Sequence, residues 1–218
     1  MSIPKIIHYF WFGGGPISSE SQKCMESWKK YCPDYKIIEW NEQNFDISAN
    51  RYAQQAYAAK KYAFVSDYAR LVVLYEYGGI YLDTDVELVR PLDELLEHKG
   101  FIGMEHSAPS PSGRTLLVTT GSGVGAEPGC GMIGKMLAAY RNAAFVQETG
   151  EPDLRTCTQR DIPLFTKAGL QQKNEQQELD GFLVLPTDCF SPFDYVTERM
   201  HRTPRTFGIH YYQGSWQS

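Results

Sequence analysis

Asp83 and Asp85 stand two apart in the octet Ile80-Tyr-Leu-Asp-Thr-Asp-Val-Glu87. The apolar and β-branched residues around them, entered through Gly78-Gly79, read as a buried strand, whose alternate side chains share one face. Two carboxylates on one buried face repel each other and lose hydration unless a cation lies between them. Oxygen ligands at this spacing suit Mg²⁺ or Mn²⁺ held jointly with a diphosphate. The same octet also reads as a strand end running into solvent, where acidic residues cost nothing. A second pair, Asp67 and Arg70, stands three apart in a helical pattern, so both project from one face, beside apolar Phe64, Val65, Tyr68 and Leu71. Alone, that pair is an ordinary helix-surface ion pair contributing about 0.2–0.5 kcal/mol.

The elements that must position these residues alternate between strand and helix. Residues 5–12 read as a strand entering a triple glycine. Ser19-Glu-Ser-Gln22 fits a capping box opening a helix that runs to Tyr31 and ends before Pro33. Residues 35–40 read as a second strand, which makes the opening of a βαβ unit. Residues 53–77 carry the strongest helical signal, one long helix stopped by Gly78-Gly79. After the Asp83–Asp85 strand come a short helix over 91–98 and a strand over 101–105. Residues 107–131, rich in Gly, Ser, Thr and Pro, predict a long, partly mobile loop with a strand at 116–120 inside it. A helix over 133–146, a polar surface stretch over 166–179, a strand over 182–186 and a closing segment over 209–216 complete the pattern. No internal repeat or linker divides the chain, so one α/β domain over 1–218 is expected.

Composition narrows the function classes. With 42% hydrophobic and 13% aromatic residues, 218 residues can bury a sizeable core. A net charge of −5 argues against general nucleic-acid binding. Cys24, Cys32, Cys130, Cys157 and Cys189 are odd in number and show no CxxC spacing, which fits reduced thiols in a cytoplasm. No apolar run approaches a membrane span, and the N-terminus does not read as a signal peptide. The arginine-bearing segment 198–205 reads as a solvated stretch, with contact to an anionic membrane surface as the alternative.

Three clusters make sense together: Ile3-Pro-Lys-Ile-Ile-His-Tyr-Phe-Trp-Phe-Gly-Gly14; Phe64-Val-Ser-Asp-Tyr-Ala-Arg70 with Tyr77-Gly-Gly-Ile-Tyr-Leu-Asp-Thr-Asp85; and His210-Tyr-Tyr-Gln-Gly-Ser-Trp216. The set closely resembles the family-32 glycosyltransferases, defined by a DXD sugar-binding motif. It also looks like the catalytic domains of clostridial glucosylating toxins and the yeast-type initiating mannosyltransferases. The resemblance implies a GT-A fold, a Rossmann-like mixed sheet flanked by helices, binding a nucleotide-sugar and a divalent cation, Mn²⁺ or Mg²⁺. It implies Asp85 and His210 as metal ligands, with Asp83 either a further ligand or a contact to the donor's ribose or sugar. It places Asp67, Arg70, Asp83 and Asp85 at the catalytic centre, with Asp67 and Arg70 holding donor sugar hydroxyls. Tyr9, Trp11, Ser66, Thr84, Ser215 and Trp216 complete the donor contacts, Trp11 beside the base and Ser215 and Trp216 at the diphosphate. His8, inside the first strand, reads instead as a core histidine.

The implied reaction is retaining transfer of a hexose, from a UDP-sugar rather than a GDP-sugar, to a glycan or lipid-linked saccharide. The implied setting is bacterial surface polysaccharide assembly, in the cytoplasm or at the inner face of its membrane. One departure is Thr156-Cys-Thr-Gln-Arg-Asp-Ile-Pro-Leu-Phe-Thr166, where many relatives carry a Gly-Pro turn. Rival readings are a haloacid-dehalogenase-like phosphatase, whose DxDx[TV] motif would need Thr or Val where Glu87 stands, and a non-catalytic carbohydrate-binding protein. An EF-hand loop needs Gly at its sixth position, where counting from Asp83 gives Leu88.

Overall fold

The computed structural model describes residues 2–213. In chain order the elements are β1 (Ile6–Phe10), α1 (Ser19–Tyr31), β2 (Lys36–Trp40), α2 (Arg51–Ala58), α3 (Tyr62–Tyr77), β3 (Gly79–Tyr81), β4 (Val86–Leu88), β5 (Gly100–His106), β6 (Leu116–Ala126), α4 (Gly131–Ala138), α5 (Cys157–Lys167), β7 (Gln177–Leu179), β8 (Phe182–Leu185), α6 (Thr187–Phe190), β9 (Phe193–Asp194), β10 (Arg199–Met200) and β11 (Gly208–His210). Seven strands form a mixed sheet in the order β2-β1-β3-β6-β5-β8-β7. β2, β1 and β3 run parallel, and β6 pairs antiparallel with both β3 and β5. Two small antiparallel pairs, β4–β11 and β9–β10, stand outside this sheet.

Two apolar clusters flank the sheet. One gathers Phe64, Val65, Leu71 and Leu74 of α3 with Ile133 and Met136 of α4. The other gathers Trp28 of α1 with Ile7, Ile80, Leu82 and Val86. Trp28 is fully buried, and its indole N–H donates to the Val86 carbonyl at 2.7 Å. The Leu88 N–H donates to Ser27 Oγ at 2.8 Å. Helix α1 thus fixes the strand that follows the two aspartates.

Several expectations need correction. Asp83 and Asp85 do not share the face of one strand. β3 ends at Tyr81 and β4 starts at Val86, and the aspartates lie in the turn between them, closed by Val86 N–H to the Asp83 carbonyl at 3.1 Å. The turn brings the carboxylates together where strand alternation was expected to. The single helix over 53–77 is two helices, α2 and α3, broken at Lys60, whose φ is 57°. Helical propensity on both sides hides this break, because no Gly or Pro marks it. Helix α1 forms as expected but is capped one residue earlier, by Ser18, whose side chain accepts from the Ser21 N–H. The helix expected over 133–146 is the eight-residue α4, the short helix over 91–98 is only a 3₁₀ turn at Asp93–Leu95, and α5 occupies part of the departing segment.

The largest correction concerns residues 107–131. They hold β6, an eleven-residue strand at the middle of the sheet. Its glycines belong there because neighbouring groups come too close for side chains. A Cβ at Gly121 would lie 2.4 Å from Asp83 Oδ2.

Candidate donor and metal site

The entry to the site is built by Gly78-Gly79. Both have positive φ, 65° and 99°, and a Cβ at Gly79 would lie 2.8 Å from the Ile6 carbonyl oxygen. Behind them is His8, fully buried, with Nε2 bonded to the Gly78 carbonyl at 2.8 Å and Nδ1 accepting from the Trp40 indole at 3.0 Å. Burial lowers its pKa to about 4, so it is a neutral core histidine, as the sequence suggested.

From this turn the chain delivers Asp83 to two neighbours. The first is the Asp67–Arg70 pair of α3. Arg70 Nη2 lies 2.9 Å from Asp67 Oδ1 and 3.7 Å from Asp83 Oδ1. Its Nη1 donates to Thr120 Oγ1 of β6 at 3.1 Å, and its guanidinium stacks 4.5 Å over the Tyr81 ring. The Tyr81 hydroxyl donates to Asp83. Arg70 is 3% exposed and Asp67 8%, so the pair is not the surface ion pair that its spacing alone allowed. Burial pushes the Asp67 carboxyl up and Arg70 pulls it down.

The second neighbour is the Asp85–His210 corner. His210 arrives on β11, paired with Val86 of β4. Its Nε2 lies 3.3 Å from Asp85 Oδ1 and 3.9 Å from Asp83 Oδ2. Potential ligand atoms of Asp83, Asp85 and His210 all fall within 4.8 Å of one another. Asp85 Oδ2 also accepts the Gln213 N–H at 2.8 Å. Burial raises the Asp85 carboxyl, but His210 outweighs it and holds the pKa below the ordinary range. Burial lowers the His210 pKa, yet Asp85, Asp83 and Glu105 together hold it above the ordinary value.

The donor set fits a divalent cation. Two carboxylates and one imidazole suit Mn²⁺ or Mg²⁺ and leave positions open for phosphate oxygens. The imidazole on its own is a poor substitute, because one positive charge faces two aspartates.

Among the other expected donor contacts, Trp11 is half-buried after β1, its indole N–H donating to the Gly15 carbonyl at 2.6 Å. The Tyr9 side chain turns into the apolar cluster around Trp28, with its hydroxyl on Glu39 at 2.6 Å. Ser66 Oγ donates to the Tyr62 carbonyl one turn before Arg70, and Thr84 sits between the aspartates. Ser215 and Trp216 lie outside the described residues.

Sequence reasoning missed six contributors. Tyr81 was legible, because it stands two residues before Asp83 in the same motif. Gly121 and Thr120 were hidden in what read as a loop. Glu105, at the end of β5, accepts from the Tyr212 hydroxyl at 3.3 Å and acts on both His210 and Asp83. The first two turns of α5 bring Cys157 and Asp161 towards Asp67, and burial raises the Asp161 carboxyl to about 8. One turn apart on α5, those two residues carried no signal without the partner helix.

The mixed sheet that brings two turn aspartates and a helix-borne Asp–Arg pair to one point has the GT-A fold. Residues 18–102 match the family described as "Glycosyltransferase sugar-binding region containing DXD motif", and over that stretch the chain is similar to the family-32 glycosyltransferases. Inositol phosphoceramide mannosyltransferase 3 of Schizosaccharomyces pombe is 32% identical over 123 residues, 51% of this chain and 31% of the relative. Inositol phosphoceramide mannosyltransferase 1 of the same organism is 28% identical over 111 residues, 46% of this chain and 33% of the relative. The chain thus spans about a third of the length of these curated relatives. Among solved structures, PaToxG glycosyltransferase aligns with a TM-score of 0.53 at 23% identity, over 77% of this chain and 72% of that one. A glycosyltransferase involved in the glycosylation of the major capsid of PBCV-1 aligns with a TM-score of 0.52 at 11% identity, over 98% and 96%. At these identities the structures support the GT-A fold alone.

Proposed function

We propose that this chain is a metal-dependent, retaining hexosyltransferase that moves a sugar from a nucleotide-sugar to a saccharide acceptor. The observation that carries the reading is the convergence of Asp83, Asp85 and His210 beside the buried Asp67–Arg70 pair. Asp85, His210 and Asp83 would hold Mn²⁺ or Mg²⁺, which when bound neutralises charge on a departing diphosphate. Asp67 and Arg70 address the hexose hydroxyls, and Ser66 and Thr84 flank them. Trp11 would stack on the base, favouring the single-ring uracil of a UDP-sugar over guanine.

In the proposed reaction the bond from the sugar C1 to the diphosphate oxygen breaks, and its electron pair leaves with the diphosphate. The acceptor oxygen bonds to C1 on the same face. Its proton passes to an oxygen of the departing diphosphate, so no side-chain nucleophile is needed. The protein's contribution is positioning and preorganised charge.

The two yeast relatives are named mannosyltransferases of an inositol phosphoceramide, which supports a hexose as cargo and a lipid-linked saccharide among the acceptor classes. No helix among the described residues is long and apolar enough to cross a membrane. A cytoplasmic enzyme working at the inner membrane face on surface polysaccharide fits that combination. The test is release of nucleoside diphosphate from a panel of UDP- and GDP-sugars, with Mn²⁺ and with EDTA. Turnover of at least one UDP-sugar, lost in EDTA, is expected. Turnover equal in EDTA, or confined to phosphate monoesters, would replace this reading with a metal-free enzyme or a phosphatase.

A further inference from the structure

Next to the aspartate cluster lies a cavity of about 330 Å³, within the range of small-ligand sites of about 300–1,000 Å³. Its lining includes His106, Arg114, Asp188, Asp194, Tyr195 and Tyr212. Tyr212 belongs to both places. Its ring lies 4.1 Å from that of His210, and its hydroxyl donates to Glu105 at the end of β5. The backbone of Tyr212 has a φ of 51°, a left-handed conformation that a large side chain adopts only at a cost of about 1–3 kcal/mol. That strain turns the ring between the candidate metal ligands and the cavity.

The chemistry of the walls selects a ligand class. Tyr195 and Tyr212 present rings 5.0 Å apart, and Tyr195 remains 42% exposed, so an aromatic surface faces the opening. Around it, charged groups occur in compensated pairs. Arg114 Nη1 holds Asp194 Oδ2 at 2.5 Å, and Arg205 Nε holds Asp188 Oδ2 at 2.8 Å. Thr203 Oγ1 donates to the same Asp188 oxygen at 2.7 Å. An anionic ligand would have to compete with Asp194 and Asp188 for the two lining arginines. A neutral, hydroxyl-rich ring can accept from the remaining guanidinium N–H groups and donate to the carboxylates without separating either pair. Its C–H faces would rest on the tyrosines.

We propose that this cavity is the acceptor subsite and seats a neutral hexose ring on Tyr195 and Tyr212, its attacking hydroxyl directed past Tyr212 towards the aspartate cluster. This rests on the transferase reading above. It goes beyond that reading by naming the surface that receives the acceptor and the part of the acceptor it recognises, the sugar ring and not a phosphate or a lipid tail. Tyr195 contacts the acceptor ring in this scheme and is not among the candidate cation ligands.

The experiment uses the full chain with UDP and Mg²⁺ and reads binding of methyl and octyl glycosides of glucose, galactose and mannose by saturation-transfer NMR. Octyl glycosides are kept below micelle formation. Methyl and octyl forms of at least one hexose should bind alike. Tyr195→Ala should weaken that binding at least tenfold, with Tyr195→Phe near the unaltered protein. The ratio of transfer to donor hydrolysis should fall in the same order. No binding by any methyl glycoside, binding by octyl forms alone, or equal binding by Tyr195→Ala would overturn the subsite. Tyr195-dependent sugar binding in a protein that turns over no nucleotide-sugar would overturn the transferase reading and the acceptor role with it. Normal turnover with Tyr195-independent acceptor use would overturn the cavity alone.

Discussion

The two sides of Asp83 differ in how their charge is balanced. On the α3 side, Asp67 meets a guanidinium 2.9 Å away, and that guanidinium also reaches Thr120, Tyr81 and Asp83 itself. This side carries a permanent cation tied to fixed protein partners. On the β11 side, Asp83 and Asp85 face one imidazole, at 3.9 and 3.3 Å. That side lacks positive charge. A self-compensated buried pair is suited to a neutral ligand such as a sugar hydroxyl, whereas an under-compensated cluster is suited to a cation. The same pattern recurs beyond Tyr212, where the cavity's arginines are again paired.

The comparison can be broken from its compensated side. Arg70→Ala would leave Asp67 and Asp83 without their shared cation, one of them fully enclosed. Removing one partner of a buried ion pair costs about 3–5 kcal/mol, so chemical denaturation should show a loss of that order. A loss below about 1 kcal/mol would mean that the pair is effectively solvated. A group outside both corners provides a smaller effect, read against pH. His8 has its pKa lowered to about 4 from 6.5 by burial, so the unfolded chain binds its proton first as pH falls. Its contribution is complete above pH 6.5 and is lost as pH drops towards 4, to a total of up to about 3 kcal/mol. Unfolding free energies measured from pH 7 to pH 4 should therefore fall less steeply in His8→Gln than in the unaltered protein; parallel curves would remove His8 as the source. The smallest effect sharpens the division of labour. Asp67→Asn keeps shape and loses charge, and should weaken a bound nucleotide-sugar by about 1.5 kcal/mol, roughly tenfold, while nucleoside diphosphate binding stays within twofold. Equal losses for both ligands would make the pair structural.

What was legible in the sequence follows from what short segments can encode. The Gly-Gly turn and the Asp67–Arg70 spacing are local, and both appear where expected. That Asp83, Asp85 and His210 come together was also legible, because His210 entered with a motif. The mode of convergence was not: a turn between two three-residue strands looks, residue by residue, like one continuous strand. β6 was misread because its glycines signal loops, while here they admit Asp83 and the rings of Phe101 and Phe190. Such close approach exists only once the neighbouring strands are paired. Cys157 and Asp161 likewise gain meaning only from α3, ninety or so positions earlier in the chain.

The central claim is that the Asp83–Asp85–His210 corner is a cation site whose occupancy governs nucleotide binding. Calorimetric titration of UDP into the unaltered protein and into Asp85→Asn, each with Mn²⁺ and with EDTA, tests it most directly. The account predicts at least tenfold tighter binding with Mn²⁺ in the unaltered protein and no difference between the two conditions in Asp85→Asn. Equal affinity of the unaltered protein in Mn²⁺ and in EDTA would contradict it.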